Sequence, residues 1–124
     1  MIVSPNMNLH VGAKALELNA SWCPGVATPT EAFTAIEAGA RMLKLFPAEI
    51  IPPPAVRAMR AVLPADTSIA MVGGITPDSM ENYLDAGASS FGLGSALYKP
   101  EYNLEELRLR ATNFISAFNR SKYR

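Results

Sequence analysis

Short apolar runs and amphipathic stretches alternate along the whole chain. The apolar runs are the strand candidates, and they begin near residues 1, 20, 41, 69 and 90. Each run is followed by a stretch whose apolar residues recur at helical spacing, such as the stripe formed by Phe33, Ile36 and Ala40. A strand, a short loop and a helix repeated five times predict an α/β fold built on a parallel sheet.

Capping signals mark where several helices begin and end. Thr28 suits the N-cap of the second helix, Pro29 suits its first position, and Glu31 completes a capping box. Gly39 is placed to end that helix. Asn103 is a plausible N-cap for a final helix from about Leu104 to Arg120.

The third apolar run, residues 41–48, contains one lysine. Side chains alternate on a strand, so Met42, Lys44 and Phe46 should share one face while Leu43 and Leu45 share the other. A central strand of a parallel sheet is covered on both faces, so Lys44 is expected to line an enclosed space. Burial lowers the pKa of an amine, and a neutral amine attacks carbonyl carbon. The alternative is a lysine at the rim, with its ammonium group reaching water.

Glycines after the last two strands help to choose between two architectures. The βα repeat fits either a doubly wound sheet or part of a (β/α)₈ barrel. No Gly-x-Gly-x-x-Gly motif follows the first strand, which disfavours a dinucleotide-binding sheet. Gly73-Gly74 and Gly94-Ser95 instead follow the last two strands. In barrels, loops at those positions often hold a phosphate group on backbone N–H groups, and Ser95 adds a hydroxyl donor.

The number of βα units indicates an incomplete barrel. A TIM (β/α)₈ barrel has eight units and at least about 200 residues, whereas this chain has 124 residues and five units. If its last two strands are barrel strands 7 and 8, the chain corresponds to strands 4–8. We therefore expect residues 1–124 to be a single incomplete barrel domain without the three N-terminal βα units. The inward-facing residues Met42, Phe46, Met71 and Phe91 would then lack a facing layer.

Composition excludes several classes of function. The formal net charge is zero, with 11 basic and 11 acidic residues, which argues against an electrostatic grip on nucleic acid or an anionic membrane. No apolar run approaches the roughly 20 residues of a membrane span. Cys23 is the only cysteine and His10 the only histidine, so the sequence contains neither an intrachain disulfide nor a Cys/His metal site. A single cysteine fits a reducing cytoplasm, and His10 is expected at the surface.

Four motifs occur in an order and spacing that resemble a known enzyme family. They are Cys23–Glu31 (CPGVATPTE), Leu43–Ala48 (LKLFPA), Val72–Ile75 (VGGI) and Gly92–Ser95 (GLGS). They resemble the 2-keto-3-deoxy-6-phosphogluconate and 6-phosphogalactonate aldolases, and residues 31–40 are more similar to the phosphogalactonate branch. The resemblance implies a (β/α)₈ class I aldolase, usually a homotrimer, that needs no metal or other cofactor. Its substrate would be a phosphorylated 2-keto-3-deoxy sugar acid, cleaved to pyruvate and glyceraldehyde 3-phosphate.

The same resemblance assigns roles to residues of this chain. It makes Lys44 the Schiff-base lysine, and it places Pro5, Thr28 and Phe46 in the pocket lining. It assigns the phosphate site to Gly73, Gly74, Gly94 and Ser95. The family's general acid/base glutamate, and the arginine and threonine that hold the substrate carboxylate, belong to the three units expected to be absent. Glu49 follows the lysine strand but is not taken as a replacement for that glutamate.

Two other classes of function remain open at the level of sequence. One is a non-catalytic half-barrel that binds phosphorylated ligands or pairs with another chain, because five parallel strands leave open edges and an apolar face. The other is a receiver-like signalling domain, which is disfavoured because no acidic pocket follows the strand ends.

Overall fold

A parallel sheet packed against helices forms the body of the protein. The computed structural model describes residues 1–122. The strands are β1 (Ile2–Val3), β2 (Trp22–Cys23), β3 (Gly25–Val26), β4 (Met42–Leu45), β5 (Ser68–Val72) and β6 (Ser90–Gly92). The α-helices are α1 (Leu9–Glu17), α2 (Pro29–Glu37), α3 (Pro53–Val62), α4 (Met80–Asp85) and α5 (Leu104–Lys122). Short 3₁₀ turns occur at Ala48–Ile50 and Pro77–Ser79.

The second predicted strand, residues 21–23, corresponds to β2, and β3 is a further short strand that was not predicted. β2 pairs with β1, and β3 pairs with β4 in a sheet ordered β3-β4-β5-β6; every pairing is parallel. Between β2 and β3 lies Pro24, which has no N–H to donate. Pro24 still accepts a hydrogen bond through its carbonyl from the Lys44 N–H, at 2.9 Å. The mixed α/β fold with parallel pairing is thus confirmed.

The helices cover one face of the sheet, and the opposite face, which carries Lys44, is here called the open face. Leu43 and Leu45 have no exposed surface, whereas Met42, Lys44 and Phe46 on the other face are half-buried. This confirms the predicted alternation along β4. Its cause is the packing of the leucines into a core that includes apolar side chains of α3 and α4.

Two residues expected on the open face lie on the helix face instead. The register aligns Lys44 with Ala70 and Leu45 with Met71, so Ala70 is the neighbour that shares the face of Lys44. Met71 is fully buried, and Phe91 aligns with it on β6. The Phe91 ring meets that of Phe118 on α5 edge to face, with centroids 6.3 Å apart. The prediction for Met71 and Phe91 was wrong because an uninterrupted apolar strand has no alternation that fixes its phase.

Helix α2 begins with the predicted capping box. The Thr28 side chain accepts from the Glu31 N–H at 3.3 Å, and Glu31 Oε2 accepts from the N–H groups of Ala27 and Thr28 at 2.9 and 3.0 Å. The bond from Ala27 is the main reason that the pKa of the Glu31 carboxyl lies below its usual value. The predicted stripe is only partly correct, because Phe33 is exposed and the fully buried residues of α2 are Ala32 and Ala35.

Two further predictions about the helices, on Asn103 and on His10, are confirmed. Asn103 caps α5, since its Oδ1 accepts from the Glu106 N–H at 2.9 Å. His10 lies exposed in the first turn of α1, as expected. No helix within residues 1–122 is long and apolar enough to cross a membrane.

Candidate active site

Lys44 lies near the middle of the open sheet face, on β4. Its ammonium nitrogen is 4.1 Å from the centroid of the Phe46 ring, within the range of a cation–π contact. It lines a cavity of about 230 Å³, here called the lysine cavity, together with Cys23, Ala70, Val72 and others. Lys44 is half-buried rather than enclosed, because the described helices cover the opposite face of the sheet. Lys44 therefore lines a cavity, as predicted, but it is not enclosed.

Cys23 is a neighbour of Lys44 that the sequence analysis missed. Its side chain is 3% exposed, and burial raises the pKa of the thiol, while the positive charge of Lys44 acts in the opposite direction. The Ser90 hydroxyl lines the same cavity and is buried without a hydrogen-bond partner in the described part of the chain. Cys23 precedes β3, which pairs with β4, and Ser90 lies on β6, which pairs with β5. Strand pairing therefore brings both residues to the lysine.

The four predicted phosphate-site residues lie together around a second cavity. This glycine cavity has a volume of about 260 Å³ and lies between the loops that follow β5 and β6. Its lining includes Gly73, Gly74, Gly94 and Ser95, together with Phe46 and Glu49. Val72 and Gly92 line both cavities, so the two cavities adjoin. The Lys44 amine thus lies next to a pocket whose lining includes four glycines.

Glu49 lines the glycine cavity, a position that the sequence analysis did not predict for it. Gly73 and Gly74 have φ angles of 108° and 60°, in the region that favours glycine. A Cβ atom on Gly74 would lie 2.8 Å from Glu49 Cγ, and one on Gly73 would collide with Glu49 Oε2. The Glu49 carboxylate therefore rests against the Gly73–Gly74 turn. A Cβ on Gly94, by contrast, would meet no atom within 4 Å.

A buried tyrosine fixes the backbone beside Glu49. The Tyr83 hydroxyl donates a hydrogen bond to the Ala48 carbonyl at 3.1 Å. Burial raises the pKa of Tyr83, and the negative charge of Glu49 adds to that effect. Tyr83 thus links α4 to the 3₁₀ turn that carries the carboxylate.

Pro5 and Thr28 are not brought into either cavity. Both follow the carboxyl ends of strands, β1 and β3, but neither lines the lysine cavity or the glycine cavity. The Thr28 side chain is engaged in the cap of α2, and the Pro5 carbonyl abuts Gly25. Their assignment to the pocket lining stays a prediction.

A third cavity lies away from these residues. Its volume is about 660 Å³, and its lining includes Met1, Trp22, Arg41 and Ser68. These residues stand at the beginnings of strands, at the end of the sheet opposite the glycine loops. Over residues 1–122, no three His, Cys, Asp or Glu side chains are grouped so that they could hold a metal ion.

Comparison with known proteins identifies the family. The family described as KDPG and KHG aldolase matches residues 1–108. This chain belongs to the KDPG and KHG aldolase family. Among KDPG and KHG aldolases it is similar to the 2-dehydro-3-deoxy-6-phosphogalactonate aldolase of Escherichia coli, with 42% identity over 95% of this chain and 58% of the relative. A probable enzyme of the same name from Rhizobium meliloti is 44% identical over 96% of this chain and 56% of the relative.

A solved structure supports the same assignment. The structure described as native KDPGal aligns with 98% of this chain and 59% of its own, with a TM-score of 0.94 and 41% identity. The phosphogalactonate branch of the KDPG and KHG aldolases is therefore the one that this chain resembles. The chain spans just over half the length of the relatives it matches.

Proposed function

We propose that the protein acts as a class I aldolase on 2-keto-3-deoxy-6-phosphogalactonate or, as the less favoured epimer, 2-keto-3-deoxy-6-phosphogluconate. The observation that carries the proposal is the adjacency of the lysine cavity and the glycine cavity. A ketone at one end of a phosphosugar acid could meet Lys44 while the phosphate at the other end meets the glycine loops. Membership of the KDPG and KHG aldolase family supports this assignment.

In the proposed reaction, Lys44 supplies the electron sink. Its neutral amine attacks the C2 ketone, and loss of water leaves a protonated imine. A base removes the proton of the C4 hydroxyl, the C3–C4 bond breaks, and its electron pair moves into the imine to form an enamine. Glyceraldehyde 3-phosphate leaves, the enamine is protonated at C3, and hydrolysis of the imine releases pyruvate and restores Lys44. We assign the base to no residue of this chain.

The phosphate group is proposed to bind in the glycine cavity. Backbone N–H groups of Gly73, Gly74 and Gly94 would donate to its oxygens, and the Ser95 hydroxyl would add a further donor. Glycine suits this task because the absence of a Cβ lets the backbone approach an anion. Phe46 would pack between the two ends of the substrate, since it lines the glycine cavity and contacts Lys44.

We also propose that β1–β6 correspond to strands 4–8 of a (β/α)₈ barrel, with β2 and β3 together forming the fifth. The alignment of almost the whole chain with just over half of a KDPGal structure supports this correspondence. A homotrimer in the cytoplasm is the assembly and location that the family resemblance suggests.

Pyruvate release from the two epimers tests the proposed activity. The chain should release pyruvate slowly, faster from the phosphogalactonate than from the phosphogluconate, and Lys44→Arg should abolish the release. Slow turnover by residues 1–124 is expected because none of them is assigned as the base, and the lack of a positioned general base costs about 10²–10⁴ in rate. Release at an equal rate by Lys44→Arg would contradict the proposal.

One observation favours a second candidate, a non-catalytic module that binds phosphorylated ligands. Lys44 is half-buried on an open face of the sheet rather than enclosed. The same assay separates the candidates, because binding of phosphosugar acid without any pyruvate release would favour the module.

A further inference from the structure

The Glu49 carboxylate lines the cavity in which the proposed function places the phosphate group. It rests against Gly73 and Gly74, with Glu49 Cγ 2.8 Å and Cδ 3.1 Å from the position of a Cβ on Gly74. It also lines the glycine cavity together with Gly94 and Ser95. A carboxylate and a phosphate are both anions, so the same polar backbone suits either one.

The electrostatics of the glycine cavity make the two anions competitors. Among the described residues that line it, Glu49 is the only one with a charged side chain. A phosphate entering the cavity would thus meet one negative charge and no lysine or arginine in the lining. Like charges held a few ångströms apart repel strongly where water is partly excluded.

The structure gives the carboxylate a route out while holding its backbone in place. Ala48 and Ile51 are 2% and 4% exposed, and the Tyr83 hydroxyl bonds to the Ala48 carbonyl. Glu49 itself is exposed, so its side chain can rotate into solvent without disturbing the turn. A movable anion on a fixed backbone has the properties of a plug.

We propose that Glu49 is such a plug: its carboxylate rests against the Gly73–Gly74 wall of the glycine cavity when no ligand is bound, and it must turn away into solvent before a phosphate group can bind to the backbone of those two glycines. The inference rests on the proposed phosphate site and extends it. Glu49 thereby lowers the affinity of the cavity for a phosphate group and for other anions. Because Gly73 and Gly74 have no Cβ atoms, there is room beside their backbone for the Glu49 carboxylate and, once it has turned away, for the ligand.

Titration with inorganic phosphate tests the plug. Wild type, Glu49→Gln and Glu37→Gln are compared by following the amide resonances of Gly73, Gly74 and Ser95 in two-dimensional NMR spectra. Glu37 is exposed on α2 and lines neither cavity, so Glu37→Gln makes the same change in net charge elsewhere. We expect Glu49→Gln to bind phosphate about tenfold more tightly than wild type, and Glu37→Gln to match wild type.

Two further comparisons make the result decisive. Glu49→Ala removes the plug altogether and should also bind more tightly, and urea unfolding checks that each variant is folded. Equal or weaker binding by Glu49→Gln and Glu49→Ala would overturn the plug and leave the phosphate site standing. Absence of phosphate binding in wild type, Glu37→Gln and Glu49→Gln alike would overturn the phosphate site together with the plug.

Discussion

Gly94 differs from Gly73 and Gly74 in what surrounds it. A side chain at Gly73 or Gly74 would meet Glu49 and would also have to adopt a positive φ, so a substitution there disturbs the protein itself. A Cβ at Gly94 would enter open space. A substitution at Gly94 therefore tests ligand binding in the cavity, because it does not also change the packing and backbone strain that a substitution at Gly73 or Gly74 would change.

We predict that Gly94→Ala and Ser95→Ala weaken phosphate binding while the urea transition stays close to that of wild type. The alanine methyl at position 94 obstructs the anion, and loss of the Ser95 hydroxyl removes a bond to a charged group that is worth about 1.5–3 kcal/mol. The NMR titration measures affinity, and pyruvate binding at Lys44 serves as the control. Equal weakening of phosphate and pyruvate binding would indicate that these residues only shape the turn.

Residue-level prediction from sequence works where the pattern is local. The Leu-Lys-Leu alternation places Lys44 opposite Leu43 and Leu45, as the structure confirms. Glu49 and Cys23 could not be connected with the site in this way. The position of Glu49 depends on the path of a 3₁₀ turn, and that of Cys23 depends on the pairing of distant strands. Neither feature leaves a periodic signal in the sequence.

At the scale of elements, α2 is the clearest case of a structure specified by its own sequence. Its cap, its first-turn proline and its acidic N3 residue are all readable before folding, and all are present. Strand β3 was not readable, because it depends on β1 and β4 pairing with different halves of one extended segment. Local signals thus set helix ends, while strand pairing requires the whole sheet.

The capping box gives a stability prediction. Thr28→Ala should lower the free energy of unfolding by about 0.5–2 kcal/mol, because the Glu31 N–H loses its acceptor and the carboxylate loses one donor. Thr28→Ser keeps the hydroxyl and should retain most of the stability. Urea unfolding of the three proteins measures the effect. A loss of aldolase activity in Thr28→Ser with stability intact would instead point to a role for Thr28 in the pocket.

At the scale of the whole molecule, the open sheet face is the main departure from a self-contained domain. Among the described strands, β1 pairs only with β2 and β6 only with β5, so both present an unpaired edge. Met1, Ile2 and Val3 are 74%, 40% and 53% exposed. Unpaired edges beside exposed apolar side chains favour association with other chains.

We therefore predict that the 124-residue chain self-associates and has a low urea midpoint when studied alone. Sedimentation at several concentrations should show a mass that rises with concentration. Charges on an edge strand oppose pairing, so a variant with Ile2→Lys and Val3→Lys should shift the population towards monomer. A monomeric wild type with a steep transition at high urea would show that the open face needs no cover.

Covalent trapping tests the central claim, that Lys44 is the Schiff-base lysine, most directly. The protein is incubated with pyruvate and borohydride, digested, and mapped by mass spectrometry. The other lysines, Lys14, Lys99 and Lys122, are internal controls, and Lys44→Arg should remove the label because a guanidinium stays protonated. We expect a reduced pyruvate adduct on Lys44 alone. An adduct on another lysine of the folded protein, with Lys44 unmodified, would contradict it.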